Sequence, residues 1–408
     1  MAVQGSCETR FNEVREEFDR NFAERGEVGA SVCVTVDGET VVDLHGGVAD
    51  PETGRAWDAD TVSVVWSSTK GALALCAHML VARGDIDLEA PVASYWPEFA
   101  KNGKENIPVR WLLSHQSGVA ALRDPLPPGG MADWDLVVDA LAREIPLWEP
   151  GTRVGYHALT LGHLVGEVIR RVTNRSVGTF FREEVAEPLG LDFWIGMPDE
   201  IGPRVAPLIS PDIPEDLSQL PSFYQLVFGD PTSIPAMVLL NHGGLNDPGA
   251  IDTPEIRASE IPSANGVTNA RGLASMYRPL ALAGEYDGVR LVPDDAVVTM
   301  SSVASATAVD ATMQAPTRWS LGFGKTVDNT ARPPGFRDSL LMSEQAFGHL
   351  GNGGSLGFAD PGARLSFGYT MNKLGMCVGL EGRGQALVDA TYRALGYRQP
   401  RDGGIWFA

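Results

Sequence analysis

Cysteine is scarce in this sequence, with four residues among 408. Cys7, Cys33, Cys76 and Cys377 lie far apart, without C-x-x-C spacing and without ligand-spaced histidines nearby. This pattern argues against a disulfide framework and against a zinc site. We therefore expect free, mostly buried thiols, and the sequence implies neither a metal nor a cofactor.

Basic residues and long apolar runs are also in short supply. The 32 Lys and Arg residues are outnumbered by 52 Asp and Glu residues, which gives a formal net charge of -20. That charge repels phosphate backbones and anionic lipids, so the sequence predicts no nucleic-acid partner and no membrane partner. The apolar run after Lys70 is too short to cross a bilayer. The stretch 1–22 is charged and lacks the apolar core of a secretory signal, so we expect a cytoplasmic protein.

Length and patterning predict the fold class. A chain of 408 residues with 44% hydrophobic content can bury a large core, in one large or two moderate domains. Short apolar or alternating runs predict two strands near the start and three near the end, each set flanked by a helix. The strands are 30–36, 40–44, 345–349, 356–360 and 365–372, and the helices are 8–25 and 385–395. The sequence thus predicts an α+β fold, with an antiparallel sheet of five or more strands sandwiched by helices.

The middle of the chain is predicted to be an inserted, mainly helical domain. Its bounds are 67–309, and the α/β sandwich domain is discontinuous, over 1–66 and 310–408. Residues 203–262 contain ten prolines and little periodicity, so we expect a long irregular segment there. Long ordered loops often line a site, although a loop that only covers the surface would show the same composition.

The stretch Ser67-Ser68-Thr69-Lys70 leads into an apolar, helix-patterned run. Ser67 and Lys70 are one turn apart on the same helix face, which is the spacing of a nucleophile and its base. Burial disfavours a charged lysine and would lower its pKa towards that of a usable base. Among 24 serines and five lysines, chance alone predicts about 0.3 S-x-x-K matches, so context must decide. The alternative is a serine N-cap followed by a surface lysine.

Two competing motifs are rejected. Residues 353–357, around Ser355, match the G-x-S-x-G nucleophile elbow, which requires a helix after the serine and a histidine later in the chain. Strand and turn patterns follow instead, and His349 is the last of seven histidines. Ser355 is therefore predicted to lie in a tight connection between two strands. Residues 322–326 are similar to a phosphate-binding loop, but Trp319 occupies a position where that motif needs glycine.

Tyr156 and the glycine-rich run after His349 are further candidates. Tyr156 follows a Pro-Gly turn, and it could act as a base if a neighbouring cation such as Lys70 stabilised its phenolate. The alternative for Tyr156 is a packed aromatic residue with a hydrogen-bonded hydroxyl. The glycines after His349 would let a substrate approach the backbone closely. His115 is interpreted as a structural residue.

Ser67-x-x-Lys70, then Tyr156, then His349-x-Gly351 on a late strand is an order that resembles the serine β-lactamase and penicillin-binding-protein superfamily. The chain is most similar to its class C branch and to the related family VIII carboxylesterases. The resemblance covers nearly the whole chain. It implies a β-lactamase-like fold, with the site between the sheet and the helical domain.

The resemblance also implies roles for individual residues. Ser67 would be the acylated nucleophile, and Lys70 and Tyr156 would handle the proton. The backbone N–H groups of Ser67 and Asn352 would form the oxyanion hole.

Two departures from the family pattern favour an esterase. The family's Y-x-N element is Tyr-His-Ala at 156–158, so the amide that would contact an acylamido side chain is missing. The K-T-G element is His-Leu-Gly at 349–351, which removes a cation and a hydroxyl that would hold a β-lactam carboxylate. His349 and Gly351 are still expected to border the substrate.

We therefore expect a serine carboxylesterase that acts on a small-molecule ester through an acyl-enzyme on Ser67. The alternatives are a β-lactamase or D-amino-acid peptidase on the same fold, an acyltransferase that uses an alcohol acceptor, and a catalytically silent binding protein. We expect the acyl and alcohol pockets to be built from the 203–262 segment. The sequence leaves the oligomeric state open.

Overall fold

The computed structural model describes residues 3–214, 216, 220–333, 337–400 and 404–408. The α-helices are, in chain order, α1 (Asn12–Glu24), α2 (Lys70–Arg83), α3 (Val109–Leu113), α4 (Trp134–Arg143), α5 (Thr160–Thr173), α6 (Val177–Phe181), α7 (Glu187–Leu189), α8 (Ser222–Gly229), α9 (Ile234–Leu240), α10 (Pro254–Ala258), α11 (Ala270–Ala281), α12 (Asp294–Ser301) and α13 (Gly382–Ala394). The strands are β1 (Gln4–Cys7), β2 (Gly29–Val36), β3 (Glu39–Asp50), β4 (Arg55–Ala56), β5 (Ser63–Val64), β6 (Phe193–Trp194), β7 (Val267–Thr268), β8 (Glu285–Tyr286), β9 (Val289–Arg290), β10 (Ser305–Thr307), β11 (Thr317–Trp319), β12 (Gly324–Lys325), β13 (Phe347–Leu350), β14 (Leu356–Asp360) and β15 (Leu365–Met371).

One antiparallel sheet joins the two ends of the chain. Its strand order is β1-β3-β2-β15-β14-β13-β12-β11-β10, with β4 paired to β3. β2 and β15 lie side by side, from Ala30 opposite Met371 to Val36 opposite Leu365. Both strands are almost completely buried, as expected for apolar strands that are covered on both faces. The predicted α+β class is confirmed.

Helices cover both faces of this sheet. α1 and α13 pack against each other, and Phe18 and Leu387 share one hydrophobic core with the β2 residue Val34. On the opposite face, α11 lies against β2, β14 and β15. A Cβ atom on Gly368 would lie 2.2 Å from the Ala270 carbonyl oxygen, so this close approach requires glycine.

The 203–262 segment differs from its prediction. Its described part contains three short helices, α8, α9 and α10, and is not irregular throughout. Pro235 and Pro254 occupy the first turns of α9 and α10. Proline is tolerated there because the first N–H groups of a helix have no intrahelical acceptor. The prolines therefore begin helices in this segment and do not exclude them.

Two large hydrophobic clusters lie on opposite sides of the sheet. One draws on both ends of the chain, from 11–44 and 340–406, and the other draws mainly on the middle of the chain. The predicted domain bounds, 1–66 with 310–408 and 67–309, stay a prediction. Within the described ranges, no helix combines the length and the apolar character needed to cross a membrane.

Candidate active site

Ser67 lies on a short helical turn that leads directly into α2. Trp66–Thr69 form a 3₁₀ turn and the α-helix begins at Lys70, so the predicted helix start is a 3₁₀ turn followed by an α-helix. Side chains three apart eclipse each other in 3₁₀ geometry, and Lys70 Nζ lies 2.8 Å from Ser67 Oγ. Trp66 has a φ of 45°, a left-handed conformation that is strained for a bulky residue. This strained turn is held immediately before the serine.

Lys70 is completely buried and is surrounded by oxygen atoms. Its Nζ donates to the carbonyl oxygens of Ala158 at 2.6 Å and Ser263 at 2.7 Å. Burial lowers the pKa of Lys70 well below its usual value. An uncharged amine has two N–H bonds, which these carbonyls accept, and one lone pair, which remains for the hydroxyl proton of Ser67. The surroundings of Lys70 therefore suit a base.

Tyr156 lies on the other side of the Ser67 hydroxyl. Burial raises the pKa of Tyr156, although a hydrogen bond with the Ser67 side chain opposes this shift. Lys70 Nζ lies 5.0 Å from the centroid of the Tyr156 ring, so the expected neighbour is present. Burial thus keeps the Tyr156 hydroxyl protonated and Lys70 uncharged, so Lys70 has a lone pair that can accept a proton and Tyr156 has a proton to donate.

The strand β13 carries His349 to the edge of the site. His349 Nδ1 lies 2.7 Å from the Leu350 carbonyl oxygen, and burial lowers the pKa of His349 to about 3. A Cβ on Gly351 would lie 2.2 Å from Ser355 Oγ, so this connection requires glycine. No residue in the described part of the chain accepts a hydrogen bond from the Asn352 backbone N–H. That N–H group is free to bind an oxyanion, and the oxyanion-hole role of Asn352 stays a prediction.

Ser355 is not in a position to compete with Ser67. It lies between β13 and β14, as predicted, and is 1% exposed. Its hydroxyl donates to the Val65 carbonyl oxygen at 2.8 Å and lies 3.0 Å from the Ser68 hydroxyl. Ser355 therefore ties the glycine-rich turn to the segment before Ser67.

Sequence reasoning did not predict three contacts of Tyr156. It gave Trp319 and Asp310 no role, and it did not predict that His115 contacts Tyr156. The Trp319 ring stacks on the Tyr156 ring, with centroids 5.0 Å apart and planes 4° apart. The His115 ring meets the Tyr156 ring edge-on at 5.1 Å, which fits the structural role predicted for His115. The Asp310 side chain accepts a hydrogen bond from the Tyr156 backbone N–H at 2.9 Å. No motif in the sequence pointed to Trp319 or Asp310.

An apolar pocket opens beside Ser67 and has about 1180 Å³ of empty space, its open mouth included. Tyr156, His349 and Asn352 lie in its wall with Ser67. The 203–262 segment contributes Phe223, Tyr224, Val238, Leu239 and Asn246. The expectation that this segment helps to build the pocket therefore agrees with the geometry. Among the described residues, no cluster of His, Cys, Asp or Glu side chains could hold a metal ion.

The comparisons with known proteins agree with this architecture. A family model described as Beta-lactamase matches residues 18–390. Esterase/beta-lactamase LipL of Mycobacterium tuberculosis is 36% identical over 389 residues, which cover 91% of this chain and 83% of that protein. A crystal structure of a family VIII carboxylesterase has a TM-score of 0.84 and 37% identity, with 97% of this chain and 100% of that chain covered.

A penicillin-binding protein homologue from Caulobacter crescentus has a TM-score of 0.82 and 35% identity. The match covers 97% of this chain and 100% of that chain. These similarities confirm the resemblance inferred from the motif order, while the roles of the individual site residues stay predictions. The chain belongs to the β-lactamase family.

Proposed function

We propose that the protein is a serine hydrolase that cleaves small or medium carboxylic esters through an acyl-enzyme on Ser67. The observation that carries this proposal is the position of the Ser67 hydroxyl. It lies 2.8 Å from an amine whose pKa burial lowers, and Tyr156 lines the same pocket wall. The similarity to a protein named as an esterase and to a family VIII carboxylesterase supports ester hydrolysis.

Acylation would begin when Lys70 Nζ takes the Ser67 proton and Ser67 Oγ bonds to the ester carbonyl carbon. The tetrahedral oxyanion would accept hydrogen bonds from the backbone N–H groups of Ser67 and Asn352. As the bond to the alcohol oxygen breaks, that oxygen takes the Tyr156 proton. The Lys70 ammonium then returns a proton to Tyr156, which restores both groups.

Deacylation would follow the same steps with water as the nucleophile. Water attacks the acyl carbonyl carbon and gives its proton to Lys70. The bond between the carbonyl carbon and Ser67 Oγ then breaks, and Ser67 recovers a proton from the pair formed by Lys70 and Tyr156. A carboxylic acid leaves, and the enzyme returns to its starting state.

The charges at the pocket favour uncharged substrates. Arg318 is paired with Glu344, and Lys325 Nζ donates to the Glu344 carbonyl oxygen at 2.8 Å. His349 is uncharged at the position where the family's K-T-G element has lysine. A substrate carboxylate would therefore meet an uncharged imidazole where the family's element has lysine, whereas an apolar acyl chain would contact Phe223 and the other apolar residues of the wall.

The test combines a covalent label with turnover measurements. We expect a fluorophosphonate probe to label Ser67, located by mass spectrometry, and we expect the enzyme to hydrolyse p-nitrophenyl acetate and butyrate. Ser67→Ala should lose both the label and the activity. Ser355→Ala is the matched control, because it removes a hydrogen-bonded hydroxyl nearby and should still be labelled on Ser67. An active Ser67→Ala enzyme, or label on Ser355, would contradict the proposal.

Hydrolysis of β-lactams is the second candidate, because the similar protein LipL is named both as an esterase and as a beta-lactamase. Nitrocefin turnover, compared with p-nitrophenyl butyrate turnover on the same preparation, separates the two. We expect a kcat/KM for the ester that exceeds that for nitrocefin, since His349 provides no charge for the carboxylate. The opposite order would favour the second candidate.

A further inference from the structure

A buried carboxylate with no part in the steps above lies behind Tyr156. Asp310 belongs to the loop between β10 and β11, and its side chain is 0% exposed. Its Oδ1 accepts hydrogen bonds from the backbone N–H groups of Tyr156 at 2.9 Å, Thr312 at 2.9 Å and Met313 at 3.0 Å. Its Oδ2 accepts a hydrogen bond from the Thr317 hydroxyl at 2.9 Å. Four donors therefore converge on one carboxylate.

These hydrogen bonds join Tyr156 to the wall of the pocket. Thr312, Met313 and Thr317 all line the pocket; the first two lie on the same loop as Asp310, and Thr317 begins β11. Asp310 and Tyr156 are 154 positions apart in the sequence, and one hydrogen bond joins the Asp310 carboxylate to the Tyr156 backbone. A parallel backbone bond lies beside it, formed between the N–H of residue 311 and the carbonyl oxygen of residue 154 at 2.9 Å. Displacement of Asp310 would therefore move the tyrosine and the loop relative to each other.

The charge of Asp310 is stabilised by hydrogen bonds and not by a cation. Burial raises the pKa of Asp310, and its donors lower it. All the backbone partners donate, and an ionised carboxylate accepts without donating, so the geometry fits the charged form. In the described part of the chain, Asp310 has no ion-pair partner.

The other titratable side chains around Tyr156 are His115, His157, His349 and Lys70. Burial lowers the pKa of each histidine, to about 4 for His157 and about 3 for His349, so all three are uncharged near neutral pH. Burial also favours the uncharged form of Lys70. The ionised form of the Asp310 carboxyl group adds to burial in raising the pKa of Tyr156.

We propose that Asp310 is a positioning residue that sets how the proton is handled at Ser67. Its hydrogen bonds hold the Tyr156 backbone against the pocket loop, so that the Tyr156 hydroxyl stays beside Ser67. Lys70 then accepts the Ser67 proton, and Tyr156 donates its proton to the leaving alcohol. This inference rests on the proposed esterase function.

Two substitutions separate the hydrogen bonds of Asp310 from its charge. Asp310→Asn keeps an acceptor oxygen for the backbone N–H groups, and its amide can donate to Thr317, but the charge is lost. We expect Asp310→Asn to keep kcat within about threefold of the wild type, because the hydrogen bonds that position Tyr156 remain. Asp310→Ala loses both features, and we expect kcat to fall about tenfold or more while Ser67 is still labelled.

The control is Asp295→Ala, which removes a carboxylate from an exposed position on α12. Its kcat should match that of the wild type. If Asp310→Ala keeps the wild-type kcat, or if Asp310→Asn loses as much kcat as Asp310→Ala, the inference is overturned. Ser67→Ala keeps the two proposals apart. Activity in Ser67→Ala would overturn the esterase proposal, whereas an inactive Ser67→Ala together with a wild-type kcat in Asp310→Ala would overturn this inference alone.

Discussion

Lys70 is the residue at which stability and chemistry oppose each other. A buried amine without a carboxylate partner destabilises the folded state at every pH at which the same lysine would be protonated in the unfolded chain. The same burial supplies the uncharged lone pair that faces the Ser67 hydroxyl at 2.8 Å. The site therefore gains its base by giving up stability at neutral pH.

We expect Lys70→Met to show both sides of this opposition. The variant should lose about 10²- to 10⁴-fold in kcat, because the neighbouring Tyr156 hydroxyl stays protonated and cannot take the Ser67 proton in place of Lys70. Since the pKa of Lys70 is lowered in the folded state, the unfolded wild type binds more protons up to the usual lysine value. The unfolding free energy of the wild type minus that of Lys70→Met should therefore rise with pH from 7 to about 10.

Urea denaturation of both proteins at several pH values measures this difference. Lys101→Met, which removes an exposed lysine, is the control for the loss of a lysine as such. A difference that stays flat or falls with pH would contradict the assignment of Lys70 as a buried, uncharged amine. The same amine should govern the acidic side of the kcat/KM profile, because His115, His157 and His349 remain uncharged near neutral pH.

At the scale of elements, α2 has no room for a side chain at Gly71. A Cβ atom there would lie 2.1 Å from the Tyr277 hydroxyl and 3.0 Å from the ring carbon that carries it. Glycine in a helix interior costs about 1 kcal/mol relative to alanine, so its presence next to Lys70 needs a reason. The reason is the close approach of α11, which carries Tyr277.

We expect Gly71→Ala to lower the unfolding free energy by about 1 to 3 kcal/mol, because the clash with Tyr277 outweighs the higher helix propensity of alanine. We also expect kcat to fall about tenfold, because the displaced turn carries Ser67 and Lys70. Adding Tyr277→Phe removes the clashing hydroxyl and should restore part of both losses. Gly382→Ala in α13, where a Cβ would meet no atom of the described residues within 4 Å, should not destabilise the protein. A Gly71→Ala enzyme as stable and active as the wild type would show that a side chain fits at this position of α2 and would contradict the prediction.

The elements that the sequence predicted are the ones with a long, regular pattern. β2, β15 and α2 are each buried along most of their length, and each has an apolar or alternating pattern long enough to recognise. β10, β11 and β12 have only two or three residues each, too few to show an alternation. In the 203–262 segment, α9 and α10 were hidden because their first-turn prolines resemble those of loops.

The same distinction applies to the site. Ser67 and Lys70 are one turn apart, so local geometry alone brought them together in the prediction. Trp319 and Asp310 reach Tyr156 only because β10 and β11 join the far edge of the sheet. No local pattern records a contact of this kind, which depends on how distant elements pack.

At the scale of the whole molecule, the two ends of the chain form one layer on the side of the sheet opposite Ser67. The Arg393 side chain of α13 pairs with Glu13 of α1 at 2.7 Å. Deeper in the layer, Arg383 pairs with the buried Glu27 at 2.8 Å. Breaking such a buried pair by removing one partner is strongly destabilising, since it leaves an uncompensated charge. The layer therefore contributes to stability without touching the pocket.

We expect Phe18→Ala to separate stability from catalysis. Phe18 is 0% exposed in the core shared by α1, α13 and the sheet, so the substitution should lower the unfolding free energy by about 3 to 5 kcal/mol. Phe407→Ala, at a position that is 50% exposed, should change it by less than about 0.5 kcal/mol. Fluorophosphonate labelling counts the folded molecules of Phe18→Ala. Calculated per folded molecule, kcat/KM should stay within about twofold of the wild-type value, because the sheet lies between Phe18 and Ser67. A loss as large as that of Gly71→Ala would mean that the terminal layer also fixes the geometry of the site.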